Sequence, residues 1–301
     1  MVKMRSEQEM YELIIGTASA DERIRAVYMN GSRTDKNAPK DIFQDYDIVY
    51  AVRETKPFYE DKHWIDRFGE RLYMQCPDEL DKSLGKEVDF SQSYGWLIQF
   101  ADGNRLDLHV EPVGRFDYES DKLCRILLDK DGIMPNIPEP TDEQYRVKKP
   151  SQAGFSAACN EFWWCLNNVA KGLWRNELPY VHDMLSYAVR PQLVKILSWK
   201  IGLDTDFSVS MGKSAKYMYR WLPADVWERF LRTYGGANAE EVWNAVFIIA
   251  VCLMNLHPKR RNVSAIIITV KRLQTAEHGL KRSEIILRNE SDGKNISCPS
   301  R

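Results

Sequence analysis

The sequence has few of the features that are typical of secreted, membrane-spanning or nucleic-acid-binding proteins. Its 42 lysines and arginines balance 43 aspartates and glutamates, so no overall basic charge indicates a nucleic-acid partner. Six cysteines among 301 residues form no Cys-x-x-Cys pair, which favours packed thiols over a metal site or disulfides. The N-terminus is polar and charged, unlike a signal peptide, and the longest apolar stretch, Ala245 to Met254, is too short to span a bilayer. We therefore expect a cytoplasmic protein with no membrane partner.

Residues 1–150 carry the short apolar runs of a small mixed sheet. We predict a helix from Ser6 to about Thr17, and four strands near Ala26–Met29, Asp47–Val52, Tyr94–Phe100 and Arg105–Val110. Apolar residues at helical spacing predict another helix between the second and third strands, at Ile65, Phe68 and Leu72. The stretch from Pro135 to Pro150 contains four prolines and is typical of a linker.

Residues 151–255 have apolar positions three and four apart, which predicts a helical bundle. The expected helices are Phe155 to Trp174, Tyr180 to Ile201, Ser214 to Trp221 and Ala239 to Met254. Pro191 should kink or split the second, because proline lacks a backbone N–H. Residues 256–301 carry ten basic and four acidic side chains and form a basic tail of uncertain order. The fold class we predict is α+β, a mixed sheet with helices followed by a C-terminal helical bundle domain.

Two aspartates mark the start of the second predicted strand. Successive side chains of a strand alternate faces, so Asp45 and Asp47 point the same way and Tyr46 points opposite. Neighbouring carboxylates repel unless a cation lies between them, and Mg²⁺ held by carboxylates and substrate phosphates is the usual nucleotide arrangement. The upstream Gly31-Ser32 suits a tight turn whose amides and hydroxyl approach a phosphate. Together these residues predict a nucleotidyl-transfer site.

An acidic pair alone is weak evidence for a metal site, because such pairs are also common at solvated strand ends. A third carboxylate strengthens the interpretation. The alternating stretch from Arg105 to Glu111 predicts a half-buried strand with Asp107 facing away from Leu106 and Leu108. The turn signal Asp102-Gly103-Asn104 joins it to the preceding strand in a hairpin. That hairpin is expected to set Asp107 beside the strand of the other two aspartates.

The order of these motifs resembles the nucleotidyltransferase fold and, more narrowly, the bacterial aminoglycoside 6-adenylyltransferases that modify streptomycin. The likeness spans roughly four-fifths of the chain in one unbroken order, which is far more specific than a short motif. It is carried by Met4-Arg5-Ser6-Glu7, Asp21-Glu22-Arg23-Ile24-Arg25, Gly31-Ser32-Arg33, Phe43-Gln44-Asp45-Tyr46-Asp47, Leu106-Asp107-Leu108, Lys148-Lys149-Pro150-Ser151, Cys159-Asn160-Glu161-Phe162-Trp163, Lys171-Gly172-Leu173, Ser198-Trp199-Lys200-Ile201-Gly202, Gly212-Lys213, Lys216, Thr233-Tyr234 and Ala245-Val246-Phe247.

The resemblance implies Mg²⁺-dependent transfer of AMP from ATP to the 6-hydroxyl of streptomycin, with release of pyrophosphate and inactivation of the antibiotic. Residues 1–150 would be the nucleotidyltransferase domain and residues 151–255 the helical domain that binds substrate and nucleotide. Asp45 and Asp47 would hold the metal, and Asp107 would complete a second metal site or accept the proton of the attacking hydroxyl. The implied ATP contacts are Gly31, Ser32, Arg33, Lys213 and Lys216. The acids expected to hold the guanidinium groups of streptomycin are Glu161 and Asp183.

Two other functions remain open from the sequence. The first is a nucleotidyltransferase that acts on RNA or protein, with the basic tail as the arm that binds the partner. The second is a nucleotide or drug binder that has the fold and no turnover. The presence of three mutually repelling acids favours catalysis, because a binder has no need to hold them together.

Overall fold

The computed structural model describes residues 3–256 and places their side chains as far as Leu253. The predicted basic tail, 256–301, lies outside the described residues except for Leu256 itself, which belongs to the last helix. The chain divides into two compact units, Met1–Tyr145 and a second that begins at Arg146. The division falls inside the proline-containing stretch that the sequence marks as a linker. We describe each unit by itself.

The first unit is a six-stranded mixed sheet with helices. In chain order the elements are α1 (Glu7–Ala20), β1 (Ile24–Asn30), β2 (Tyr46–Val52), α2 (Lys56–Glu60), β3 (Arg71–Gln75), α3 (Pro77–Ser83), β4 (Tyr94–Phe100), β5 (Arg105–Pro112) and β6 (Cys124–Asp129). The strand order is β3-β4-β5-β2-β1-β6, in which β2 and β5 run parallel and the other neighbours antiparallel. The central strands are therefore β5 and β2, the two that carry the predicted aspartates.

One face of this sheet is covered by helix α1 and supplies the core. Ser6 begins the helix with a capping box, in which its hydroxyl accepts from the Glu9 amide and the Glu9 carboxylate accepts from the Ser6 amide. Met10 and Ile14 are fully buried against the sheet, and the Tyr50 hydroxyl donates to the Ile14 carbonyl at 2.6 Å. Burying this face leaves the alternate side chains of β2 and β5 on the opposite face.

The described part of the second unit is mainly helical. Its main elements are α4 (Gln152–Trp174), α5 (Leu178–Asp183), a π-helix (Met184–Val189), α6 (Arg190–Asp204), α7 (Ala224–Leu231) and α8 (Ala239–Leu256). The core of this unit is formed by fully buried apolar side chains from α4, the π-helix, α6 and α8, among them Phe162, Val169, Leu185, Leu193 and Ile249. The predicted α+β class, with a mixed sheet followed by a helical domain, is confirmed.

Pro191 does not split the second predicted helix, because helical residues run without a break from Leu178 to Asp204. It lies in the first turn of α6, directly after the π-helix, so the change from π-helical to α-helical hydrogen bonding is the irregularity beside it. No helix of the described part of the chain is long and apolar enough to cross a membrane.

Two predicted helices are wrong in part. Ile65 and Phe68 lie in a 3₁₀ helix, Trp64–Phe68, but Gly69 ends it at φ 114° and turns the chain into β3, where Leu72 is exposed. The segment Ser214 to Trp221 forms two 3₁₀ turns, Lys213–Ala215 and Met218–Arg220. Positive φ angles at Ser214 and Ala215 prevent a continuous α-helix there.

Asp21 fixes the short connection between helix α1 and strand β1 through Arg23, and its loss should make the unit less stable above pH 4. Hydrogen bonds from Arg23 (2.6 and 2.9 Å) lower the pKa of Asp21 to about 2, although burial opposes this. Because the folded-state pKa lies below the usual value, the stabilisation is complete above about pH 4 and is lost as pH falls towards 2. We expect Asp21→Asn to lower the free energy of unfolding by about 2 kcal/mol at pH 7.

Urea unfolding of the two proteins between pH 2 and pH 7 measures this effect. Their difference should shrink as pH falls from 4 to 2. Glu22→Gln is the control, because the neighbouring Glu22 is exposed and its ion pair with Arg25 should contribute little to stability. An Asp21→Asn protein as stable as wild type at pH 7 would contradict the assigned role.

Candidate active site

Three carboxylates meet on the face of the sheet opposite helix α1 because of the register between β2 and β5. Asp47 and Asp107 are direct partners in this parallel pair, and Asp45 precedes β2 by one residue. One oxygen from each lies within 4.8 Å of the others. The predicted placement of Asp107 beside the first two aspartates is confirmed. The intervening Tyr46 and Leu106 are buried in the core, so the sheet's alternation sends all three acids to the other side.

The cluster carries unbalanced negative charge. Burial raises the pKa of Asp47 to about 7, and repulsion from Asp45 and then Asp107 adds to this effect, while Arg105 opposes it. Carboxylate oxygens at this spacing are the ligands that hard divalent cations such as Mg²⁺ prefer. The donor set and its repulsion, which Arg105 only partly offsets, therefore fit a divalent cation at Asp45, Asp47 and Asp107.

Gly31 shapes the approach to this cluster. Its backbone adopts φ +78°, and a Cβ atom built on it would lie 2.1 Å from Oδ2 of Asp47. The Gly31 amide donates to the Leu123 carbonyl, and the Thr34 amide and hydroxyl both donate to the Gly31 carbonyl. Only glycine satisfies both the backbone angle and the close approach, so the turn can lie directly against Asp47.

Ser32 and Arg33 follow in the same turn with different surroundings. The Gln44 side-chain amide donates to the Ser32 carbonyl at 3.2 Å and lies 3.4 Å from its hydroxyl. Arg33 donates to the carbonyls of Asp45 and Gln44 at 2.9 and 2.8 Å, and its guanidinium stacks 3.6 Å above the Tyr46 ring. Arg33 thus fixes the backbone that presents Asp45. Phosphate contacts from Ser32 and Arg33 stay predictions.

The remaining predicted residues all lie in the helical unit. Glu161 is exposed on α4, where its carboxylate accepts from the Cys165 thiol at 3.1 Å, and Asp183 is exposed at the end of α5. Lys213 and Lys216 are exposed in the strained turn after Gly212, which has φ +66°. The structure brings Gly31 and the three aspartates together in the first unit, with Ser32 next to Gly31 in the same turn, whereas roles for these four helical residues stay predictions.

Two neighbours of the cluster were missed by sequence reasoning. Arg105 donates to both oxygens of Asp107 at 2.8 and 2.6 Å, and its Nε lies 3.8 Å from Oδ2 of Asp45. Asn30 pairs directly with Asp47 across β1 and β2, and its buried Oδ1 has no hydrogen-bond partner among the described residues. The two-residue spacing of Arg105 and Asp107 on one strand was the available signal for the first. The second depends on strand register, which one sequence does not contain.

Comparison with known proteins places the chain in a family. The family model described as streptomycin adenylyltransferase matches residues 4–258. The chain is 40% identical over 247 residues to an aminoglycoside 6-adenylyltransferase of Bacillus subtilis, covering 81% of this chain and 86% of that protein. It is 39% identical over 244 residues to an aminoglycoside 6-adenylyltransferase of Campylobacter jejuni, covering 80% of this chain and 83% of the other.

A solved structure is also similar, the crystal structure of an aminoglycoside 6-adenyltransferase from Bacillus subtilis, at 31% identity and a TM-score of 0.42. That match covers 90% of this chain and 99% of the other. On the family match and the two relatives, the chain belongs to the streptomycin adenylyltransferase family and is a nucleotidyltransferase.

Replacing Asp47 by asparagine should stabilise the metal-free protein at alkaline pH. The raised pKa of Asp47 means that its contribution to stability is favourable below about pH 4 and is lost as pH rises through 7. Removing the charge relieves that loss, so we expect Asp47→Asn to gain about 2 kcal/mol at pH 8 in chelator, with no gain at pH 4. Thermal unfolding with and without Mg²⁺ measures both, and Mg²⁺ should stabilise only the wild type. A variant destabilised at pH 8 would contradict the charge-repulsion account.

Replacing Gly31 by alanine should disable the site without unfolding the protein. The new methyl group would meet the Asp47 carboxylate, so we expect metal-dependent stabilisation to be lost. Gly85→Ala is a matched control, because Gly85 has φ +80° and no neighbouring atom within 4 Å of the added Cβ. Both variants should lose about 1 kcal/mol of stability from the backbone conformation, while only Gly31→Ala loses the response to Mg²⁺. Equal responses in the two variants would show that contact with Asp47 is unimportant.

Proposed function

We propose that this protein transfers AMP from ATP to the 6-hydroxyl of streptomycin in a Mg²⁺-dependent reaction that releases pyrophosphate and inactivates the antibiotic. The single observation that supports it is the cluster of three carboxylates behind the Gly31 turn, in a member of the streptomycin adenylyltransferase family. The named activity of the relatives supports an aminoglycoside as the acceptor. Because the reaction consumes ATP, we place it in the cytoplasm, which cell fractionation would check.

The three aspartates are assigned to the metal and the reacting groups. Asp45 and Asp47 would hold Mg²⁺, which when bound offsets the charge of the triphosphate and of the departing pyrophosphate. Asp107 would act as a further ligand or would accept the proton of the attacking hydroxyl. Arg33 keeps the Asp45 backbone in place through its bonds to the carbonyls of Gln44 and Asp45. Ser32, presented by the Gly31 turn, would donate to the β- or γ-phosphate.

The chemical step requires no covalent enzyme intermediate. The streptomycin hydroxyl oxygen forms a bond to the α-phosphorus of ATP while the bond from that phosphorus to the bridging β-phosphate oxygen breaks. Pyrophosphate leaves with the electron pair, and the hydroxyl proton passes to the carboxylate cluster. The protein contributes positioning and a fixed electrostatic environment, which are the usual sources of rate enhancement in phosphoryl-type transfer.

Residues of the helical unit would bind the two substrates. Streptomycin carries guanidinium groups, which carboxylates recognise by paired hydrogen bonds, and Glu161 and Asp183 are exposed acids available for this purpose. Lys213 and Lys216 are exposed cations that would bind the triphosphate. Each assignment predicts an effect on one substrate only, which makes them separable by kinetics.

Pyrophosphate release from ATP and Mg²⁺, with streptomycin, spectinomycin and kanamycin offered separately, tests the proposal. We expect release with streptomycin alone and at least a 10³-fold loss in Asp45→Asn, as an order-of-magnitude expectation for removing a metal ligand. Asp41→Asn is the control, an exposed aspartate in the loop before β2. In the same assay Glu161→Gln and Asp183→Asn should raise KM for streptomycin and leave KM for ATP unchanged.

Other outcomes would redirect the assignment. No release with any of the three drugs would contradict aminoglycoside modification and direct attention to RNA or protein acceptors. Tight ATP binding without release would indicate a nucleotide binder. Asp45→Asn activity near the wild-type rate would remove the metal assignment even if streptomycin is the acceptor.

A further inference from the structure

Arg105 is the cation nearest to the acidic cluster among the described residues. Its Nε and Nη2 donate to the two oxygens of Asp107 at 2.8 and 2.6 Å, and Nε lies 3.8 Å from Asp45 Oδ2. Asp45, Asp47 and Asp107 all raise the pKa of Arg105, most strongly Asp107 through its hydrogen bonds. In this arrangement both oxygens of one of the three candidate metal ligands are already occupied by a side-chain cation.

The Arg105–Asp107 ion pair can separate without disturbing the strand that carries it. The Arg105 side chain is 47% exposed, whereas Asp107 is 13% exposed, so the carboxylate is fixed and the guanidinium is at the solvent boundary. An ion pair with one partner this exposed contributes little to stability, whereas a hard divalent cation is a preferred partner of carboxylate oxygens. Arg33 is different, since its side chain is 9% exposed and it donates to two backbone carbonyls. Of these two arginines, only Arg105 can leave its partner cheaply.

The position of Arg105 also determines which group it could bind after it separates from Asp107. It lies two residues before Asp107 on β5, so the two side chains share one face of the sheet. A metal bound by Asp45, Asp47 and Asp107 brings phosphate oxygens to this same face. Guanidinium groups bind phosphate through paired hydrogen bonds as well as they bind carboxylate.

We propose that Arg105 is a displaceable cation: it neutralises Asp107 while the cluster holds no metal, and it passes to the triphosphate when the metal and ATP bind. This inference rests on the proposed function, because it takes the cluster to be the metal site for ATP. Arg105 would then have two opposite effects: it would weaken binding of the metal and strengthen binding of the nucleotide.

Binding of Mn²⁺ to the full-length protein without nucleotide tests the first effect. Titration followed by the electron paramagnetic resonance signal of free Mn²⁺ gives the Kd directly. We expect Arg105→Gln to bind Mn²⁺ about fivefold more tightly than wild type, because a competing and repelling charge is removed. Arg115→Gln is the control, since Arg115 is 45% exposed and pairs with Glu111, which is not a member of the cluster, at 3.6 Å. Its Mn²⁺ affinity should match that of the wild type.

Binding of a non-hydrolysable ATP analogue at saturating Mn²⁺ tests the second effect. Arg105→Gln should weaken it about tenfold, as expected for loss of one charge-assisted contact to phosphate. Arg105→Lys keeps the charge but loses the paired N–H donors of the guanidinium group. Its affinity for the analogue should lie between those of the wild type and Arg105→Gln.

The results separate this inference from the proposed function. Unchanged or weaker Mn²⁺ binding in Arg105→Gln, or unchanged binding of the analogue, would overturn the role of Arg105 and leave the metal site intact. A wild-type protein that binds no Mn²⁺ would overturn the metal-dependent reaction itself, and the inference with it.

Discussion

The mutual repulsion of three carboxylates on one face of a sheet is the constraint on which the rest of the site depends. Asp45, Asp47 and Asp107 present oxygens within 4.8 Å of one another, and burial together with repulsion raises the pKa of Asp47 to about 7. A sheet holds such a cluster only where its other face gains enough apolar burial to compensate. Here Tyr46, Ile48 and their neighbours on β5 are fully buried on that other face. The unfavourable repulsion is therefore confined to the carboxylate cluster, where a bound cation would offset it.

Some residues around the cluster fix the positions of the carboxylates, and another offsets their negative charge. Gly31 approaches Asp47 without a side chain, and Arg33 fixes the strand entry by donating to the carbonyls of Gln44 and Asp45. Arg105 relieves charge through a bidentate pair with Asp107. If the site binds a metal–nucleotide complex as proposed, a fixed scaffold with one displaceable cation would suit repeated binding and release.

Much of the first unit could be predicted from the sequence because its central strands are strongly patterned. The β4 boundaries match the prediction at both ends, and Asp107 lies beside Asp47 as the hairpin implied. The missed strands, β3 and β6, are the two edges of the sheet, and most of their side chains are half-buried or exposed rather than alternating between core and solvent. The clash between a Cβ at residue 31 and Asp47, and the Asn30–Asp47 pairing, depend on non-local register. Local periodicity carries no information about such contacts.

A crystal structure of the full-length protein with Mn²⁺ and a non-hydrolysable ATP analogue, with anomalous scattering to locate the metal, would decide whether the carboxylate cluster is the metal site. We expect Mn²⁺ bound by the carboxylates of Asp45 and Asp47, with phosphate oxygens completing its coordination beside the Gly31 turn. Anomalous density away from these aspartates, or a triphosphate bound elsewhere with the cluster still closed by Arg105, would contradict this assignment.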